Sequence, residues 1–192
     1  MIRIAVVGDI GSGKSYVAKL FGYPVFNADL EVAKIYKNNR KCFFNLKKKI
    51  PKFIKSYPIN KKEISKAILA KNNNIEKIVK IIHPEINKKL LKFLNKNKNK
   101  KIVILDIPLL FENKINKKND ILIFIDAQRK IIYKKLTQRK NFDPKLFKKF
   151  KRIQLPLEYK KRKSQFVLKN NFSNKSTKKS VKIILKKILN ND

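Results

Sequence analysis

"VVGDIGSGKSY", residues 6–16, is the stretch on which the fold turns. Gly8, Gly11, Gly13, Lys14 and Ser15 fit the pattern G-x-x-x-x-G-K-[ST]. The glycines let the backbone fold around a phosphate with its N–H groups turned inward. Lys14 can reach the β- and γ-phosphates of a nucleoside triphosphate, and the Ser15 hydroxyl can ligate Mg²⁺. Ser12 and Tyr16 lie in the same stretch and complete the expected nucleotide-contacting set. The context agrees with the pattern. Ile4-Ala5-Val6-Val7 ahead of it is a short apolar run, read as a buried strand. Val17, Ala18, Leu20 and Phe21 behind it can share one side of a helix. Strand, loop and helix in this order aim a helix N-terminus at the phosphate.

Working outward, apolar segments alternate in type. Val25-Phe26, Ile102 to Leu105, Ile121 to Ile125 and Phe166 to Leu168 read as strands. Ile75, Ile78, Val79 and Ile82 follow helical spacing, and Pro84 is expected to open a second helix carrying Ile86, Leu90 and Leu94. Residues 129–139 read as a helix. Ile183, Ile184, Ile188 and Leu189 predict a C-terminal amphipathic helix entered through Ser176 or Thr177. Asn/Lys runs at 37–41, 71–74, 95–101 and 116–120 read as solvated loops or helix ends. Strands alternating with helices imply an α/β fold with a parallel sheet. The span from about 31 to 95 carries no strong strand and reads as a helical insertion; 140–163 is a second, basic helical segment. A phosphate-loop core with these two insertions is the plan of a small-molecule kinase, one insertion for the acceptor and one for a lid.

Ligands of open α/β sheets sit outside the carboxyl ends of the strands, so polar residues just after strands are the candidates. Asp29, in "VFNADLEV", is placed either to orient an acceptor hydroxyl and take its proton or to cap the next helix. Asp106, in "VILDIPLLFE", ends the central strand, where an acid helps hold Mg²⁺, often through water. Glu112 follows in a loop. Arg139, Arg152 and Arg162 are half of the six arginines in the chain, and they fall in the basic segment. Arg offers a planar fork for phosphate oxygens that Lys does not. His83 is the single histidine, in "IIHPEI", where a structural role at a helix–helix corner is the ordinary reading.

Composition sets limits. The 192 residues suit one domain with an inserted subdomain, and 43% hydrophobic content supplies a core. Cys42 is the single cysteine, so no internal disulfide forms and a reducing compartment fits. No signal peptide or membrane-spanning stretch is read. The formal net charge of +37, taken alone, points to nucleic acid. The excess sits in 44 lysines, scattered among Asn, Ile and Phe, all residues with A/T-rich codons. Stacking aromatics among base-reading residues are not evident, so no specific nucleic-acid partner is expected. The charge still draws anionic substrates. One His and one Cys exclude a paired-spacing metal site. No nucleophile elbow supports a hydrolase, and no N-K-x-D motif supports a GTPase.

"GDIGSGKS", "NAD" (27–29), "HPEI" (83–86), "DIPLLFE" (106–112) and "QLPLEYKKRKSQFVLKNN" (154–171) together resemble the dephospho-CoA kinase family, nearly end to end. The resemblance implies a P-loop kinase core with a parallel five-stranded sheet, built from 1–30, 96–138 and 164–192. It implies a helical CoA-substrate domain at 31–95 and a helical lid at 139–163. It implies ATP with Mg²⁺, transfer to the ribose 3′-hydroxyl of dephospho-CoA, a cytoplasmic setting, and a monomer or weak homo-oligomer away from membranes. By position, Asp29 is the implied general base. His83, Pro108, Leu109, Leu110 and Glu112 are implied acceptor-site elements. Arg139 belongs to the lid that closes on ATP, and Asn170 to the adenine-side loop. Ser15 and Asp106 are the expected metal-side residues. Two positions depart from the family pattern: Asp9 stands where a small residue is usual, and Asn27 where an acid is common. An acid beside a phosphate loop is unfavourable unless its side chain points out to solvent, so position 9 bears on ATP affinity.

Overall fold

The computed structural model describes residues 1–190, so the last two residues of the expected 164–192 segment lie outside the described residues. The chain runs β1 (Ile2–Gly8), α1 (Lys14–Leu20), β2 (Val25–Asn27), α2 (Ala28–Asn38), α3 (Arg40–Lys49), α4 (Lys61–Ala70) and α5 (Asn73–Lys96). It continues through β3 (Ile102–Asp106), β4 (Ile121–Asp126), α6 (Arg129–Thr137), α7 (Pro144–Ile153), α8 (Leu157–Arg162), β5 (Phe166–Lys169) and α9 (Asn174–Asn190).

The five strands form one sheet in the order β2-β3-β1-β4-β5. Every neighbouring pair is parallel, with Ile4 opposite Ile104 on one side of β1 and Val6 opposite Ile123 on the other. Strands covered on both faces read as continuous apolar runs rather than alternating ones. Hence all of Ile102–Asp106 is buried. One face of the sheet presents Ile4, Val6, Ile102, Ile104, Ile123, Ile125 and Leu168. Val17, Ala18 and Phe21 of α1 and Val181, Ile184 and Ile188 of α9 cover them. The chain leaves β1 toward the β2 side of the sheet and leaves β3 toward the β4 side, so the crevice between their carboxyl ends is the switch point of the sheet. A buried ion pair ties the opposite end: Arg3 Nε lies 2.8 Å from Asp120 Oδ1.

Two compact units divide the chain. The first holds Met1–Asn27, Asn97–Phe142 and the chain from Ile153 on, and so contains the sheet. The second holds Ala28–Lys96 and Asp143–Arg152, and is helical. The segment 139–163 is therefore shared: its middle, most of α7, clusters with the second unit. Within that unit Lys149 Nζ donates to the carbonyls of Ile68 (2.6 Å) and Leu69 (3.1 Å), a cation on the last turn of α4. Asp143 Oδ1 accepts from Leu146 N at 2.9 Å and starts α7.

Three local expectations are corrected. Pro84 does not open a second helix; it sits inside the 24-residue α5. Ile78, Ile82, Ile86 and Leu90 form one buried stripe through it. A mid-helix proline costs about 3 kcal/mol, but each buried Ile or Leu contributes about 1.5–3 kcal/mol, so the stripe prevails. α9 begins at Asn174, ahead of Ser176 and Thr177, because the Ser173 carbonyl accepts both Thr177 N (3.0 Å) and Thr177 Oγ1 (2.8 Å). The Asn/Lys runs are not all solvated. Asn74 is buried and donates to Ala67 O at 2.8 Å, and Asp120 is buried against Arg3.

Candidate active site

The phosphate loop follows the central strand. Gly8, Gly11 and Gly13 have φ of 146°, 81° and 90°, values that side-chain-bearing residues rarely adopt. A side chain at Gly8 would meet the Ile125 carbonyl at 2.7 Å, and one at Gly13 would run into the Asn170 amide. Lys14 opens α1, and its ammonium donates to Asp9 O at 2.6 Å and Gly8 O at 3.4 Å. Ser12 is fully buried, and its hydroxyl has no hydrogen-bond partner. A buried orphan hydroxyl inside a glycine cradle fits a phosphate oxygen. Ser15 and Tyr16 are exposed on the first turn of α1, and Tyr16 Oη donates to Asn174 Oδ1 at 2.7 Å.

Asp9 is buried and not turned to solvent, and its Oδ1 accepts from Ile10 N at 2.6 Å. The acid thereby folds back on the loop's own backbone. The bond satisfies one buried carboxylate oxygen without removing its charge.

Asn170, expected on the adenine side, turns its side chain to the loop. Nδ2 donates to Ser12 O at 2.8 Å, while Oδ1 accepts from Phe172 N (3.0 Å) and Thr177 Oγ1 (3.1 Å). The residue is 3% exposed. It ties the loop carbonyl of Ser12 to the segment at Phe172 and Thr177.

Asp106 ends β3, next to β1, and is buried. Asn27 Nδ2 donates to Asp106 Oδ2 across the paired ends of β2 and β3. The departure at position 27 thus supplies a neutral donor to the acid instead of a second negative charge. After Asp106 the chain turns sharply. Leu109 and Lys114 take φ of 55° and 52°, strained for non-glycine residues, and such strain clusters at binding sites. Leu110 is buried, and Pro108, Leu109 and Glu112 are half-buried. Glu112 meets Lys160, a residue that sequence reasoning missed. In a chain with 44 lysines nothing in composition marks this one, which is buried.

Asp29 and His83 belong to the second unit. Asp29 is exposed in the first turn of α2, two residues along the chain from Asn27. A carboxylate at a helix N-terminus is favoured there. His83 sits on α5, and burial pushes its imidazole below the ordinary value. A depressed folded-state pKa contributes stability above the unfolded value that is lost as pH falls. Wild-type melting temperature should therefore drop more between about pH 7 and pH 5 than that of His83→Gln, as thermal unfolding at matched ionic strength reads. Parallel curves would show that His83 is not held neutral. Arg139 is exposed just beyond α6, and Arg152 and Arg162 are exposed as well.

No group of three or more His, Cys, Asp or Glu side chains stands together among the described residues. Ser15 lies in the first turn of α1 and Asp106 ends β3, each carrying a side-chain oxygen. No helix among the described residues is long and apolar enough to cross a membrane.

A parallel five-stranded sheet with a phosphate loop after its central strand defines a P-loop kinase fold. A family model described as dephospho-CoA kinase (CoaE) matches residues 2–176. A Bartonella henselae protein named dephospho-CoA kinase is 30% identical over 193 residues, covering 98% of each chain. A Wolbachia pipientis wMel protein of the same name is 30% identical over 187 residues, covering 95% of each. Among solved structures, one from Thermus thermophilus has a TM-score of 0.79 at 25% identity over 97% of each chain. Dephospho-CoA kinase from Campylobacter jejuni has a TM-score of 0.64 at 21% identity, over 97% of this chain and 96% of that one. The chain belongs to the dephospho-CoA kinase family.

Proposed function

We infer that this chain transfers the γ-phosphoryl group of ATP to the ribose 3′-hydroxyl of dephospho-CoA, giving coenzyme A and ADP. The observation that carries the reading is the family match over residues 2–176, which spans both the phosphate loop and the DIPLLFE loop.

The loop N–H groups and Lys14 bind the β- and γ-phosphates. Asn170 keeps the loop closed behind them. Asp29 orients the 3′-hydroxyl and takes its proton as the new O–P bond forms. The bond from phosphorus to the β–γ bridging oxygen breaks, and ADP leaves. Arg139 neutralises charge on the moving phosphoryl group, and lid closure keeps water from competing. Mg²⁺, when bound, would neutralise phosphate charge, with Ser15 and Asp106 as its protein-side oxygens. His83 and Pro108–Glu112 recognise the acceptor. A cytoplasmic setting and a monomeric or weakly associating chain complete the reading.

ADP release from Mg-ATP should require dephospho-CoA and fall to background with AMP, CMP or nucleosides. Turnover with one of those instead would keep the kinase fold and discard the CoA assignment.

A further inference from the structure

Lys160 and Glu112 form a buried ion pair. Lys160 Nζ lies 2.7 Å from Glu112 Oε1, and the two side chains are 4% and 11% exposed. Taking two charges out of water offsets most of their attraction, so an apolar pair would serve stability as well or better. What the pair does supply is a carboxylate with a fixed orientation.

The other contacts show which orientation. Glu112 Oε1 also accepts from Leu155 N at 2.8 Å. One oxygen is therefore held twice. Oε2 is buried with no partner, and so is Oε1 of Gln154, the residue before Leu155. Buried acceptors are nearly always satisfied, so two orphans supplied from adjoining positions call for donors from outside the protein.

The cluster stands at the phosphate-loop end of the sheet. α8, which carries Lys160, packs against β1. Lys161 beside it lies 3.2 Å from Asp126 at the carboxyl end of β4. Phe111 and Tyr159 meet edge-on at 6.0 Å between the same two segments.

We propose that Lys160 is a positioning residue for acceptor recognition. It holds Glu112 by Oε1 so that Glu112 Oε2 and Gln154 Oε1 receive hydroxyl or amino donors from the acceptor nucleoside. The inference rests on reading the chain as a kinase of a ribose hydroxyl. A nucleoside brings O–H and N–H donors, whereas a phosphate chain brings none and is repelled by a carboxylate. Both substrates carry a nucleoside, so separate titrations with dephospho-CoA and with ADP decide which one these acceptors serve.

Glu112→Gln, Lys160→Met and the double variant test this. Lys160→Met alone leaves a buried unpaired carboxylate and is prone to unfold; the double variant removes both charges and keeps the question answerable. Calorimetry with dephospho-CoA and, separately, ADP should show about tenfold or greater loss of dephospho-CoA affinity in each folded variant, with ADP affinity held within about twofold. The KM for dephospho-CoA should rise while the KM for ATP stays. The double variant should lose no more than Glu112→Gln, because Lys160 acts through Glu112. Unchanged dephospho-CoA affinity, equal loss of both ligands, or independent losses in the double variant would each overturn the role. Failure of the wild type to phosphorylate dephospho-CoA would instead overturn the function reading. The same variants would then be measured with whichever nucleoside the wild type does phosphorylate.

Discussion

Lys14→Ala should lower kcat about a thousandfold while the protein stays folded. The ammonium is the one side-chain charge that the G-x-x-x-x-G-K-[ST] pattern aims at the transferring phosphoryl group. Removing a preorganised group of this kind from a site where charge develops costs about 10²–10³ in rate. The cost to stability is smaller. Lys14 Nζ donates to Asp9 O and Gly8 O, and losing two backbone contacts removes about 1–2 kcal/mol. Those contacts show how the loop is poised. The ammonium already lies over the loop, and phosphate oxygens compete for it with neutral carbonyls. Lys14→Arg separates charge from shape: it keeps the cation but brings a wide planar head into a cradle fitted to a point charge. Single-turnover kinetics, with thermal unfolding alongside, measures both variants. An alanine variant at near wild-type rate would remove the phosphate loop from the reaction.

The sheet was legible because its strands are buried on both faces. Ile4 to Val7, Ile102 to Leu105 and Ile121 to Ile125 are runs of Ile, Val, Leu, Ala and Phe that little else produces at such lengths. The phosphate loop was legible because its glycines answer to a backbone requirement, seen in φ values of 146°, 81° and 90°. Side-chain geometry was not. The sequence left open how Asp9 sits beside the loop, and a hydrogen bond from the neighbouring N–H accompanies its burial. The resemblance places Asn170 near the adenine-side loop, but nothing in the sequence shows that its amide spans Ser12, Phe172 and Thr177. Pro84 looked like a helix start, because local preference says nothing of the buried stripe running past it. Lys160 was invisible, since periodicity and composition cannot separate one buried lysine from its many solvated neighbours. Each miss is a long-range polar contact or a tertiary override, and neither leaves a periodic trace.

The same contrast bears on the acids near β2. Asn27 and Asp29 are two residues apart but differ in what they face. Asn27 ends the strand and donates to Asp106, so its work is done through the acid of the neighbouring strand. A carboxylate at position 27 would set a second negative charge against buried Asp106 in place of a donor. The amide avoids that conflict and leaves Asp106 as the acid at that point. Replacing Asn27 therefore bears on Asp106 first, whereas replacing Asp29, on the proposed reading, bears on the acceptor hydroxyl.

Asp29→Asn should lower kcat about 10²–10⁴-fold, the range that a positioned general base contributes. The substitution keeps size and hydrogen-bonding reach, so α2 should still form; only some favourable interaction of a charge with its N-terminus is lost, about 0.3–1 kcal/mol. ADP affinity should hold, because Asp29 lies outside the phosphate loop. The pH profile gives the sharper readout. If Asp29 takes the proton, the wild-type kcat falls on the acid side as the carboxylate protonates, and the asparagine variant loses that limb while its residual rate stays flat. Asp29→Glu, which keeps the base but moves it by a methylene, should recover part of the rate and the limb with it. A variant that lost rate but kept the acid limb would show that some other group accepts the proton and that Asp29 only orients the hydroxyl. Asn27→Asp provides the contrast: it should change the behaviour of Asp106 and leave the acid limb belonging to Asp29 in place.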